Sequence, residues 1–323
     1  MISPNQYSKG VLYCLIATIS WGAMFPVMTS ALTEIDPFTF TVMRYSLAGM
    51  AFLVALLIKE RERAWNLTKR DIIRLWMFGT AGFAGFQFLV FLGQQLAGKE
   101  GALTASIMMA TQPMLGLLVN WAFRKIAPPL YSVLFILMSL SGVLLVITKG
   151  DLLSVIHQPQ HYGADALIIL GALCWVIYTV GAAYYPQLSP LQYTTGTTLL
   201  GLSSVFALNA ILLGTRVISV PSLHTLAFIT PHLAYMAFCA GFIGVLSWNL
   251  GNRCLTPLNG VLFMDVVPIT TFLISAVGGV LPSKVQVIGA VLTGMALIFN
   301  NLYLRHRNRP LQVPRPVRAV AGN

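Results

Sequence analysis

The sequence predicts an all-α integral membrane protein with ten transmembrane helices arranged as two inverted five-helix repeats. Three observations carry that prediction. Only 9% of the 323 residues are charged and 57% are hydrophobic, whereas a soluble domain carries about 25% charged residues. So few charges cannot cover a water-facing surface, and the mean hydropathy of +0.77 places the chain in a bilayer. The apolar residues gather into ten runs of roughly the 20 residues that a helix needs to cross the hydrocarbon. Motifs of the first five runs return in order in the last five, and an odd number of crossings turns the second copy over. Only helices and closed barrels satisfy their backbone in lipid, and runs of this length favour helices.

Taken in order, the first run (10–31) follows Lys9 in the N-terminal segment 1–9. "TSA" at 29–31 weakly resembles a signal-peptide cleavage site, but the run exceeds the 7–15 residues of such a leader's apolar core. It is expected to remain as a helix. Asp36-Pro37 opens the second run (38–58), which is apolar except for Arg44. At 1.5 Å rise per residue Arg44 lies about 10 Å from the outer end. Its stem could snorkel towards the interface. Alternatively its guanidinium faces a central cavity, to bind an anionic group such as an amino-acid carboxylate or to pair with another helix. In the third run (74–95), Phe83, Gln87, Phe91 and Gln94 share a helical face. Gly98 to Gly101 introduces the fourth (102–122), which Pro113 is expected to bend, and Pro128-Pro129 the fifth (130–148).

A connecting loop at 149–163 leads to the sixth run (164–184), which carries Trp175 and Tyr178. Pro186 to Pro190 marks the start of the seventh (190–213), and Pro221 precedes the eighth (232–250). There Gly244, Trp248 and Asn252 share a face, with Asn249 adjacent. Pro257 precedes the ninth (258–280), with Asp265 about 12 Å from its inner end and Pro268 as the counterpart of Pro113. Pro282 precedes the tenth (285–304), and a basic, proline-rich tail (305–323) follows.

The net charge of +11 forms no nucleic-acid-binding patch. With the N-terminus in the cytoplasm, fifteen of the twenty lysines and arginines fall on the inner side and four on the outer. The remaining one is Arg44. That asymmetry favours both termini inside, which an even number of crossings requires.

The repeat is carried by specific pairs. "AGFAG" (81–85) matches "AGFIG" (240–244), "LGQ" (92–94) matches "LGN" (250–252), and Trp21 matches Trp175. Pro113 pairs with Pro268 and Gly142 with Gly294. The domains expected are therefore a first repeat over 10–148 and a second over 164–304. Inverted repeats are a common transporter design, with the substrate site between the copies near the midplane.

The five-plus-five plan resembles the drug/metabolite transporter superfamily, in particular its EamA-type exporters. The resemblance rests on "ISWGAMFP", on the acidic-Pro opening of the second run with Arg44 beyond it, and on "TASIMMATQPMLGLL" mirrored by "LNGVLFMDVVPITTFL". It spans about residues 10–304. It implies residence in a bacterial inner membrane and export of amino acids, related metabolites or toxic compounds. One departure is that "CWVIYTVGAAYYP" lacks the small residues that follow the tryptophan in "SWGAMFP".

No enzyme constellation is present: there is no H-E-x-x-H, no P-loop and no carboxylate pair at helical spacing. Neither a cofactor nor a metal is expected, since the four cysteines lie scattered in or beside apolar runs and the five histidines lie in loops, helix starts or the tail. The candidate substrate-binding residues are Trp21, Arg44, Gln87, Phe91, Trp175, Tyr178, Trp248 and Asn249. An aromatic-lined cavity with a few amides suits partly apolar organic solutes, although amides and aromatics also serve helix packing. Asp265, a carboxyl deep in a run, is the candidate for proton coupling. The expected partners are a small-molecule substrate and the lipid bilayer, the protein acting as a monomer or homodimer and not binding nucleic acid. The alternative function is a membrane-embedded enzyme acting on lipid or isoprenoid substrates.

Overall fold

The computed structural model describes residues 4–60, 65, 67–109, 111–125, 127, 130–151, 162–255, 263–264 and 266–307. Helices account for the regular structure, and no strand occurs among the described residues. The first half comprises α1 (Pro4–Ala31), α2 (Pro37–Lys59), α3 (Lys69–Leu96), α4 (Gly101–Met109), α5 (Gln112–Arg124) and α6 (Leu130–Thr148). The second comprises α7 (Gly163–Gly181), α8 (Pro190–Gly214), α9 (Leu223–Cys254), α10 (Val266–Val277) and α11 (Lys284–Arg307). Six of these, namely α1, α2, α3, α7, α8 and α9, are long and apolar enough to cross a bilayer.

The punctuation in the sequence becomes helix caps. The Asp36 carboxylate accepts from the backbone N–H groups of Phe38 and Thr39 at 2.9 and 2.8 Å, with Pro37 in the first turn of α2. Ser189 and Gln192 form a reciprocal capping box at the start of α8, again followed by a proline, and Thr68 and Asp71 form one at α3. Each arrangement satisfies N–H groups that a helix start leaves without intrahelical partners.

Two helices depart from α geometry, at matching places. Thr80–Gly85 within α3 and Tyr235–Gly244 within α9 are π-helical, and they contain the paired motifs "AGFAG" and "AGFIG". A π turn widens the helix and re-aims backbone carbonyls, and such turns occur frequently at functional sites.

Packing between the halves follows the same pairing. α1 packs along α9 as α7 packs along α3; α1 also lies on α10 as α7 lies on α5. α2 meets α8, and α6 meets α11. The α1–α9 and α3–α7 seams need small residues at equivalent places. A Cβ on Gly251 would strike Cys14, and one on Gly93 would strike Ile168. Cys14 and Ile168 stand seven residues before Trp21 and Trp175 respectively.

The polarity of α8 is inside-out relative to a helix of a soluble protein. In α8, Gln192, Thr194, Thr195, Thr197 and Thr198 are buried while Leu199, Phe206, Leu208 and Ile211 are exposed. Exposed apolar and buried polar groups suit a lipid surround.

Two boundaries differ from the sequence expectation. The eighth segment starts at Leu223, not 232, because Pro231 lies inside α9. Membrane helices tolerate such a proline because neighbouring groups re-satisfy the freed backbone. The fourth segment is two helices, parted around Thr111. Pro113 stands in the first turn of α5, where a missing N–H has no intrahelical partner to lose. Of the ninth segment, the helix Val266–Val277 is described, and Pro268 is buried near its start.

Candidate functional site

α1, α2, α3, α7 and α9 converge around one central cavity. α1 contributes Trp21, Met24 and Phe25, α2 contributes Arg44 and Tyr45, and α3 contributes Phe86 and Gln87. Met109 and Gln112 flank the break between α4 and α5, and Trp175, Val245, Met264 and Val267 come from the second half. The cavity volume is about 20 Å³, room for about one water molecule.

At its centre the two repeat-paired tryptophans meet. The rings of Trp21 and Trp175 lie 5.6 Å apart at 85°, edge to face, the arrangement that aromatic quadrupoles favour. The Trp21 indole N–H donates to the Ala240 carbonyl at 3.1 Å, a group within the π segment of α9. Phe86 packs on Trp175 at 5.2 Å.

Arg44 is 1% exposed. Its Nε–H donates to the Met236 carbonyl at 2.8 Å, also in the π segment of α9. One Nη donates to the Gln87 side-chain oxygen at 2.8 Å and the other approaches the Met24 sulfur at 3.6 Å. The guanidinium carbon stands 4.9 Å from the Tyr45 ring centre and 5.8 Å from that of Phe91, within cation–π range. Arg44 thus points into the bundle and does not snorkel. Gln87 completes the arrangement by donating to the Tyr45 hydroxyl at 3.0 Å.

Of the residues expected to touch a substrate, Trp21, Arg44, Gln87 and Trp175 line the cavity, and the others stand behind it. Phe91 is fully buried beside Arg44. Tyr178 is fully buried between Trp175 and Phe83, at 4.9 and 5.2 Å. Trp248 packs on Trp21 at 5.3 Å, and its indole N–H lacks a partner among the described residues. Asn249 donates to the Thr194 hydroxyl at 2.7 Å, tying α9 to α8. Gln94 shares the face of Gln87 yet donates to the Phe25 carbonyl and Thr29 hydroxyl of α1, at 2.6 and 2.7 Å. Asp265 lies outside the described residues.

Sequence reasoning missed Tyr45, Phe86, Met109, Gln112 and Met264. Gln112 carried a usable signal: an amide next to Pro113 in an apolar run, at a helix break. Its only polar contact among the described residues is a donation to the Met109 sulfur at 3.1 Å. The four cysteines are free, and no cluster of metal-ligating side chains occurs among the described residues.

Apolar outer faces, two halves packed in matched pairs and one cavity at their junction define a class: a multi-pass α-helical membrane protein built as transporters are built. Within it, the chain belongs to the EamA-like transporter family, whose pattern matches residues 8–148 and 163–302. It is 37% identical over 303 residues to the uncharacterized transporter YrdR of Bacillus subtilis, covering 93% of this chain and 94% of that protein. It is 29% identical over 283 residues to a second uncharacterized transporter of that organism, YyaM, covering 87% and 90%. A protein of known crystal structure, 19% identical, superposes with a TM-score of 0.63 over 94% of this chain and 99% of its own, a likeness of fold.

Proposed function

We propose that this membrane transporter is a ten-helix secondary transporter whose two five-helix repeats, inverted relative to each other, export small organic metabolites by alternating access. The observation that carries the reading is the central cavity itself. Both halves line it, their equivalent tryptophans meet in it, and an intramembrane cation faces it. Such intramembrane charge is a mark of function, and midplane sites between repeats are the common transporter arrangement.

At about 20 Å³ the cavity is too small for an organic solute, so binding one requires this conformation to widen. Transport then requires the halves to part first on one side and then on the other. The hinge-prone places are the α4–α5 break and the two π segments, irregular stretches among the described residues beside the cavity. The charge asymmetry of the loops sets both termini in the cytoplasm, in a bacterial inner membrane, with repeats at 10–148 and 164–304. Asp265 is the group to examine for proton coupling: Asp265→Asn should abolish dependence of flux on a pH gradient while leaving exchange intact.

The test of the main reading is counterflow of labelled amino acids, organic cations and related metabolites in proteoliposomes holding the purified, monodisperse protein. Saturable flux above that of protein-free vesicles is the expected result. Absence of flux for the whole panel would remove the reading's support.

A further inference from the structure

Resting on the transporter reading, we infer that the solute carries a carboxylate, which the Arg44 guanidinium receives in the central cavity. A guanidinium stays protonated in proteins, and Arg44 is 1% exposed, so its charge is fully withdrawn from water. Every partner it has among the described residues is neutral: the Met236 carbonyl, the Gln87 amide oxygen, the Met24 sulfur and the faces of Tyr45 and Phe91. Neutral groups satisfy hydrogen bonds but leave the charge without a counter-charge among the described residues, and a buried cation so placed is among the costliest arrangements in a membrane.

The hydrogen-bond count points the same way. A guanidinium has five N–H groups. Two reach good oxygen acceptors and a third reaches a thioether, a weak acceptor, at 3.6 Å. Two more have no partner among the described residues. Met24 lines the cavity beside Arg44, and its flexible side chain can yield the position to an oxygen. A carboxylate arriving there gains a charge-assisted, fork-shaped pair of bonds and supplies a counter-charge that the described residues do not.

The remainder of the cavity describes the rest of the solute. Trp21, Trp175 and Phe86 give apolar faces for a hydrocarbon or ring portion. Gln112, bonded among the described residues only to the Met109 sulfur, leaves its amide oxygen to accept from a second polar group such as an ammonium. The class is therefore a small organic carboxylate with an apolar body, α-amino acids included. Sugars, nucleosides and purely cationic drugs lack the group that Arg44 requires. Because Arg44 also holds Met236 in the π segment of α9, a carboxylate bound to it acts on the contact that joins α2 to the second half.

The full-length protein in proteoliposomes is tested by counterflow with four matched probe sets: common amino acids, their deaminated acids, their carboxamides and their decarboxylated amines. Glucose, uridine and tetraphenylphosphonium serve as carboxylate-free probes. At least one acid should be moved, with its carboxamide and amine slower by about 30-fold or more, the loss expected when a buried charge is left without its partner. Arg44→Gln should erase that preference and Arg44→Lys should retain part of it. Gln87→Glu places a carboxylate on the guanidinium from within; it should keep a monodisperse, stable protein while losing acid selectivity, and it stands if Arg44→Gln fails to fold. Carboxamides or amines moved as fast as their acids, or acid preference persisting in Gln87→Glu, would overturn the assignment. Flux confined to glucose, uridine or tetraphenylphosphonium would overturn the substrate class and leave transport standing. No flux with any probe would overturn both.

Discussion

Adding one methyl group at Gly244 tests how the two halves are joined at the centre. A Cβ there would lie 2.9 Å from the Trp21 indole nitrogen and 3.2 Å from the Cys239 carbonyl. The indole is held in place by its bond to the Ala240 carbonyl at 3.1 Å. Three effects compete in Gly244→Ala. Relief of glycine's entropy favours the variant by up to about 1 kcal/mol. Overpacking a filled site opposes it by about 1–3 kcal/mol. Disturbing the indole bond adds about 0.6 kcal/mol, the average for such bonds between membrane helices. The steric effect wins, and the net loss should be about 1–2 kcal/mol. Trp21→Phe removes the atom that the methyl strikes, so the double variant should recover part of the loss, with a coupling of about 1 kcal/mol. Denaturation in mixed detergent, followed by circular dichroism, measures all four corners of the cycle. Gly214→Ala is the control, since nothing lies within 4 Å of a Cβ there. Additivity within about 0.5 kcal/mol, or a Gly244→Ala protein more stable than the parent, would refute the packing argument.

Other expectations are more local. Gln94→Leu removes the bonds that tie α3 to Phe25 and Thr29 of α1, and it should lower stability by about 1 kcal/mol in the same assay. Asp36→Ala deprives α2 of both its capping acceptors; a loss of about 0.5–2 kcal/mol is expected, and an unchanged melt would count against the cap. The Lys149–Glu100 pair is 2.8 Å apart, but both side chains are about half exposed. Lys149→Ala should therefore shift stability by no more than about 0.5 kcal/mol.

Helix starts were legible because their chemistry is local: the breaks read at Asp36-Pro37 and at Pro186 to Pro190 lie where α2 and α8 begin, and Asp36 and Ser189 cap those helices. Repetition was legible too, since "AGFAG" and "AGFIG" stand at equivalent places. That both motifs unwind into π turns was not. Small residues permit a widened turn, but the carbonyls of the α9 turn are taken by Trp21 and Arg44, indole and guanidinium donors from helices some two hundred residues away in sequence. The eighth boundary was placed nine residues too late, since α9 runs from Leu223 straight through Pro231. The site was half legible. Helical spacing puts Gln87 and Gln94 on one face, yet cannot say that α1 claims Gln94 while Gln87 reaches the cavity. Asn249 is likewise taken by Thr194 of α8. Tyr45 and Phe86 looked like any aromatic in an apolar helix, because only tertiary packing separates a lining ring from a filling one.

Alternating access is tested most directly at Met109, which is 3% exposed and lines the central cavity. Met109→Cys, in a background with the four native cysteines replaced, would be treated with a small membrane-impermeant thiol reagent. The reagent would be applied to right-side-out vesicles and separately to inverted ones. A site exposed to each side in turn is labelled in both preparations, and a transported solute protects it in both. Labelling from one side alone, while the protein carries solute, would contradict a single central site open alternately to the two faces of the membrane.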